Sequence, residues 1–347
     1  MSEKMIYLDR NESNYGPAPA CFEVLKNAGL TKLSWYTKAY SHGVKSILSE
    51  RIANDFGIEE KQVVLGYGAE DILKQAVQCY LTKGSKLLIP TYSWWYYKKI
   101  ADEVEGVGIE YPMVQGEETF YYDNEKMLKI YKEEKPEMVF IASPNNPTGN
   151  KLTLNEIKIV LKELQDTIVV LDEAYAYMGG DDYIKELMVE NPNLIVVRTF
   201  SKYYALAGVR IGYGIIGANL AAMSKFTNRY LGYNRISEEI AIAALDSPDY
   251  YREIASKMEE DRNMFFDELN KIEGFKAFRS FANFVLVEIP REIYGTLKEF
   301  LLEKGLAIKF MNEDLLDHHL RITLGTQEEN KMLCEAIMEY AVNEKMV

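Results

Sequence analysis

The 347-residue sequence predicts an α/β protein: a large domain on a mostly parallel, seven-stranded sheet, a smaller α+β C-terminal domain, and an N-terminal arm. Three observations predict this. Short apolar runs alternate with amphipathic helical patterns between Val63 and Ile216, the rhythm of strand–helix–strand crossovers. The rhythm changes after Tyr230, where longer helical tracts and a few short strands take over. Before it, LDRNESNYGPAP (Leu8–Pro19) is full of turn formers and has little periodicity. The expected divisions are therefore an arm at 1–35, a large domain at 36–232 and a small domain at 233–347.

Taken in order, a helical pattern runs from about Val44 to Phe56, with Ile47, Leu48, Ile52 and Phe56 on one face. Seven strands follow: Val63–Leu65, Lys86–Pro90, Gly108–Pro112, Met138–Ala142, Ile168–Leu171, Leu194–Thr199 and Arg210–Ile216. Helical patterns such as Ala69–Leu81, Ser93–Glu103, Glu125–Glu133 and Leu154–Leu164 lie between most of them, as right-handed crossovers require. The C-terminal part reads as a long helical tract from Glu238 to Ile272 and a strand at Ala282–Ile289. A helix at Glu292–Lys304, strands at Leu306–Phe310 and Leu320–Thr323, and a closing helix at Gln327–Asn343 complete it.

Composition narrows the function. A hydrophobic fraction of 48% supports a sizeable core, and a net charge of −13 argues against a nucleic-acid-binding surface. Cys21, Cys79 and Cys334 lie far apart, so disulfides are not expected and a reducing cytoplasm is. His42, His318 and His319 form no zinc set by spacing, and no metal is expected. No stretch has the length of a signal-peptide core or a membrane span.

In α/β sheets, ligand groups gather beyond the carboxyl ends of the strands. There the chain carries a series of polar turns. GYGAEDIL (Gly66–Leu73) is a glycine turn opening a helix. Gly68, Ala69 and Glu70 could offer backbone N–H groups to a phosphate, or the turn could be an ordinary helix start. Tyr92 in PTYSWW could stack on a flat heteroaromatic ring, with Trp94 and Trp95 assigned to core or interface. SPNNPTG (Ser143–Gly149) is a rigid turn able to aim Asn146. Asp172 ends an apolar strand, where burial is costly without a positive partner; a protonated pyridine nitrogen is one, and Tyr175 follows close by. Finally RTFSKYYALAGVRIGYG places Lys202 after a strand between Thr199, Ser201 and Arg210. That suits an amine bonded to the aldehyde of pyridoxal phosphate, with hydroxyls and a guanidinium on its phosphate.

Together these segments, with LDRNESNYGP, LDEAY, ANFVLVE and LRITLGT, resemble the fold type I, class I/II aminotransferases that use pyridoxal phosphate, and within them the histidinol-phosphate aminotransferase group. The resemblance runs from about Leu8 to Thr326. It implies Lys202 as the Schiff-base lysine, Asp172 as the ring-nitrogen partner, and Asn146 and Tyr175 as donors to the ring oxygen. It implies Tyr92 as the stacking ring and Ala69, Glu70, Ser201 and Arg210, with Thr199 nearby, as the phosphate site. Arg321 matches the arginine that grips the acidic end of the substrate. A homodimer is also implied, with a tyrosine crossing to the partner's cofactor; ungapped counting places it at Tyr40, and Tyr36 is the alternative.

Three departures bear on the substrate. NESNYG stands at Asn11–Gly16, keeping Tyr15 as a substrate-site candidate in an altered segment. Lys309 occupies the place of a second anion-gripping arginine, and a lysine offers a point charge rather than a bidentate fork. Arg235 falls where an apolar residue is usual, either as an anion contact or as a solvated helix start. The expected reaction is ping-pong transamination between an amino acid or amino phosphate and a 2-oxo acid. The alternatives are a decarboxylase of a phosphorylated amino acid, similar to threonine-phosphate decarboxylase, and a non-catalytic protein that binds pyridoxal phosphate.

Overall fold

A computed structural model describes residues 5–29, 34–36, 46–176, 183–224 and 232–346. In chain order its strands are β1 (Ile6–Leu8), β2 (Val63–Gly66), β3 (Lys86–Pro90), β4 (Val107–Tyr111), β5 (Met113–Gln115), β6 (Phe120–Tyr122) and β7 (Met138–Ala142). Then come β8 (Ile168–Asp172), β9 (Leu194–Thr199), β10 (Gly212–Ile216), β11 (Lys276–Ala277), β12 (Phe284–Glu288), β13 (Leu306–Phe310) and β14 (His319–Thr323).

The large sheet has seven strands in the order β2-β10-β9-β8-β7-β3-β4. Its pairs are parallel except at β10, which runs antiparallel to both neighbours. The apolar runs of β7, β9 and β10 are buried along their whole length because layers pack on both sheet faces. Alternate residues serve alternate layers: Val139 and Ile141 join one core cluster, Phe140 and Ala142 the other. On β10, a Cβ at Gly212 would lie 2.7 Å from the Gly68 carbonyl carbon, and one at Gly214 2.8 Å from the Ile72 side chain. Two missing side chains thus let the helix Ala69–Tyr80 settle on the sheet with its N-terminus at the strand ends.

The second sheet has the order β1-β13-β14-β12-β11 and its own apolar cluster. Here the N-terminal segment differs from expectation. Its Ile6–Leu8 pairs in parallel with Leu306–Ile308, so the arm begins as a strand of the C-terminal sheet. Other differences are local. Ser93–Glu103 holds only short turns of helix, Tyr97–Ile100 and Ala101–Val104. The tract Glu238–Ile272 is two helices, Arg235–Leu245 and Pro248–Leu269, because Pro248 can open a helix but not continue one. Arg210 precedes its strand at φ 54°, a left-handed turn residue. The ribbon β5–β6 and the helix Ile184–Glu190 went unforeseen. No helix among the described residues is long and apolar enough to cross a membrane.

Candidate active site

Parallel pairing of β7 with β8 sets Ala142 beside Asp172, and β8 with β9 sets Asp172 beside Val197, so three strand ends meet at one edge. A cavity of about 400 Å³ opens there. Lys202, Asp172, Tyr175, Asn146, Arg210 and Arg321 all line it, together with Ala69, Glu70, Thr199 and Ser201.

Lys202 is half-buried, and its Nζ donates to the carbonyl of Asn11 at 3.1 Å. Burial, then the charges of Arg321 and Arg210, lower its pKa from 10.5 to about 8. Asp172 is buried; its carboxylate accepts from the Tyr97 hydroxyl and, at 2.9 Å, from the Ala174 N–H. Burial raises it from 3.8 to about 6, against the pull of those two donors. Glu173, the next residue, turns the opposite way and pairs with buried Arg198 at 2.8 Å. Among the described residues no lysine or arginine pairs with Asp172, which leaves it free for a cationic ligand.

Tyr175 packs edge-on against Phe284, and its oxygen accepts the Asn11 amide at 2.8 Å. That leaves the hydroxyl hydrogen free to donate. Asn146 accepts from Arg321 at 2.7 Å, and the other terminal nitrogen of Arg321 donates to the Asp9 carbonyl at 3.0 Å. Arg321 Nε is buried without a hydrogen-bond partner.

At the opposite side, the helix Ala69–Tyr80 starts with no side-chain cap, so its first-turn amides are orphans that favour an anion. Arg210 stands beside them, its guanidinium 3.0 Å from where a Gly68 Cβ would be. Thr199 and Ser201 share a hydroxyl hydrogen bond of 2.9 Å at the same end. An anion cradle, a lysine and an uncompensated buried carboxylate fit the phosphate, aldehyde and ring nitrogen of pyridoxal phosphate.

Several expected site residues lie elsewhere than in the cavity lining. Tyr92 does not line the cavity: its ring packs edge-on against Phe120, and Trp94 lines the cavity instead. A strand end fixes which turn reaches the site, but the turn's winding decides which aromatic faces it. Gly68 donates its own N–H to Gly66, so its contribution is a φ of 88° and room for Arg210 rather than an amide. Tyr15 is not in the cavity; its hydroxyl accepts from the Gln327 N–H at the start of the closing helix. Arg235 opens the helix Arg235–Leu245 and lines neither this cavity nor its neighbour. Lys309 lines that neighbouring cavity, of about 670 Å³, which shares Arg10, Trp94, Asn146 and Arg321 with the first. Tyr40 lies outside the described residues, and Tyr36 is exposed.

Asn11 and Tyr97 were missed. Asn11 sits at φ 54° and reaches Tyr175, Lys202 and Thr323 together, which only the turn-rich NESN hinted at. Tyr97 is wholly buried, and nothing in its sequence distinguishes it from the core aromatics around it.

Fold and site together define an enzyme of the pyridoxal-phosphate-dependent fold type I class. The family model for aminotransferase class I and II matches residues 3–337. The chain belongs to that family and is an aminotransferase. It is 31% identical over 343 residues to a histidinol-phosphate aminotransferase of Ruminiclostridium cellulolyticum, covering 97% of this chain and 93% of that one. Among solved structures, histidinol-phosphate aminotransferase from Sinorhizobium meliloti in complex with pyridoxal-5'-phosphate superposes with a TM-score of 0.84 at 25% identity, covering 98% and 92% of the two chains. L-Threonine-O-3-phosphate decarboxylase from Porphyromonas gingivalis shares the fold at TM-score 0.80 and 21% identity, covering 97% and 99%.

Proposed function

We propose that this aminotransferase takes a phosphorylated amine of the histidinol-phosphate type as donor and a 2-oxo acid as acceptor, working as a cytoplasmic homodimer. Arg321 carries the reading. Its buried guanidinium, steadied by Asn146 and the Asp9 carbonyl, keeps Nε unpartnered at a cavity that Lys202 also lines. A carboxylate or phosphate bound there brings its neighbouring carbon toward the lysine. The adjoining cavity adds Lys309 beside Asp9 and Glu313, a mixed-charge subsite that suits a substrate end with both an anion and N–H donors.

Pyridoxal phosphate supplies an electrophilic aldehyde and an electron sink. The chain's residues do the rest. Ala69, Glu70, Ser201 and Arg210 would hold the phosphate, Asp172 would keep a proton on the ring nitrogen, and Trp94, which lines the cavity, would pack against the ring. Lys202, with its lowered pKa, is a neutral amine in a useful fraction near neutral pH and moves the proton at the substrate's α-carbon. Phe22, Leu25, Trp35, Tyr36 and Tyr67 are exposed apolar side chains that a second copy could cover, consistent with a dimer in which Tyr40 reaches the partner.

An amine panel including histidinol phosphate and phosphothreonine tests the substrate, scored by loss of the bound cofactor's visible absorption and by product. Histidinol phosphate should give a carbonyl product without carbon dioxide. Carbon dioxide from phosphothreonine would favour the decarboxylase reading, and no conversion by any amine the non-catalytic one. Light scattering reads the dimer.

A further inference from the structure

Away from the catalytic cavity, three metal-ligating side chains converge where the C-terminal sheet meets the rest of the chain. Glu288 ends β12 and His319 begins β14, and the two are direct antiparallel partners, so their side chains share one face of the sheet. His318 precedes His319. One ligand atom from each of the three lies within 4.8 Å of the other two. The edge from His318 Nε2 to Glu288 Oε1 is 3.2 Å. Donors bonded at about 2.0–2.1 Å around a tetrahedral ion stand roughly 3.3 Å apart, so this edge already has the span a metal needs.

What surrounds the three residues is arranged as a metal site's support. Asp317 Oδ1 lies 3.0 Å from His318 Nδ1, which orients the ring and leaves Nε2 turned to Glu288. Arg291 in turn holds Asp317. Gln115, on β5, donates to Glu288 Oε2 at 2.8 Å and leaves Oε1 for the cluster. His319 is the independent sign. It is 2% exposed, yet neither ring nitrogen has a hydrogen-bond partner. An imidazole buried without a partner is costly, and a ligand for one nitrogen removes that cost.

We propose that Glu288, His318 and His319 bind a divalent transition metal of the zinc type, three protein ligands with a remaining position for water, and that the ion fastens β12 to the start of β14. Two imidazoles and one carboxylate select such an ion over magnesium or calcium, which favour all-oxygen sites. The site is distinct from the cofactor cavity, but it shares β14 with Arg321, two residues further along and on the same sheet face. Spacing hid it: the sequence shows two adjacent histidines, and the sheet register supplies the glutamate from thirty residues away.

The test uses tag-free holoenzyme, stripped with a chelator and titrated with zinc by calorimetry, then with cobalt followed by absorption. One zinc per chain is expected, with a higher melting temperature and a cobalt spectrum free of thiolate charge-transfer bands, since no cysteine is a ligand. Glu288→Gln and His318→Asn should lose that equivalent, and Asp317→Asn should weaken it about 10- to 100-fold, each with transaminase activity retained in the absence of metal. Less than one equivalent, thiolate bands, or unchanged binding in Glu288→Gln and His318→Asn would overturn the proposal. Glu288→Gln is nearly isosteric, so its retained activity and metal-free melting temperature, read in the same experiment, separate loss of zinc binding from unfolding.

Discussion

Replacing Asp172 by asparagine should stabilise the cofactor-free enzyme while ruining its catalysis. The carboxyl titrates near 3.8 unfolded and at about 6 folded, chiefly because it is buried. The folded state therefore binds the proton more tightly. Stability falls as pH rises from about 3.8 to about 6, and the penalty stays in full above that. At about 1.36 kcal/mol per pH unit the gap corresponds to about 3 kcal/mol. Asparagine removes the charge and can keep both contacts, its Oδ1 accepting from Ala174 and its Nδ2 donating to the Tyr97 oxygen. Urea unfolding of both apoenzymes at about pH 7.5 should favour Asp172→Asn by up to about 3 kcal/mol, falling to roughly half at pH 5. Adding pyridoxal phosphate should reverse the order, because only the aspartate gains a cationic partner. If the variant is no more stable without cofactor, or its advantage does not change with pH, the assignment of Asp172 as a carboxylate awaiting a cation is wrong.

Other outcomes follow from the same geometry. With Lys202 at about 8, reloading of apoenzyme by pyridoxal phosphate should quicken as pH climbs to about 8 and then level off, not continue toward 10.5; stopped-flow absorption reads this. Lys202→Ala should bind the cofactor without its covalent absorption and show no turnover. Trp94→Ala should weaken cofactor affinity roughly 2- to 10-fold by loss of one stacking face, while Tyr92→Phe leaves it unchanged, measured by fluorescence titration. Glu173→Gln removes the charge that pairs with buried Arg198 and should cost up to about 3–5 kcal/mol in urea unfolding.

Much of the large sheet was legible because parallel strands buried on both faces read as unbroken apolar runs: Lys86–Pro90, Met138–Ala142 and Leu194–Thr199 match to the residue. The carboxyl-end rule then drew Asp172, Asn146 and Lys202 toward one place without any knowledge of side-chain direction. Where direction mattered, sequence was blind. Tyr92 against Trp94, and the donated N–H of Gly68, are decided by the winding of a turn. Asn11 and Glu288 were invisible for another reason: both act through pairings made across hundreds or tens of residues, which no local pattern encodes.

The strand Ile6–Leu8 has a consequence for the order of assembly. It leaves the ribosome about 300 residues ahead of its parallel partner Leu306–Ile308, and the Asn11 N–H finds Thr323 only 312 residues later. During synthesis that segment must wait, unpaired, while the seven-stranded sheet forms beside it. The same segment supplies Asn11 to Lys202 and Tyr175. The lysine therefore gains its final surroundings only when these two distant segments join, so cofactor capture by a nascent chain should lag behind folding of the large sheet.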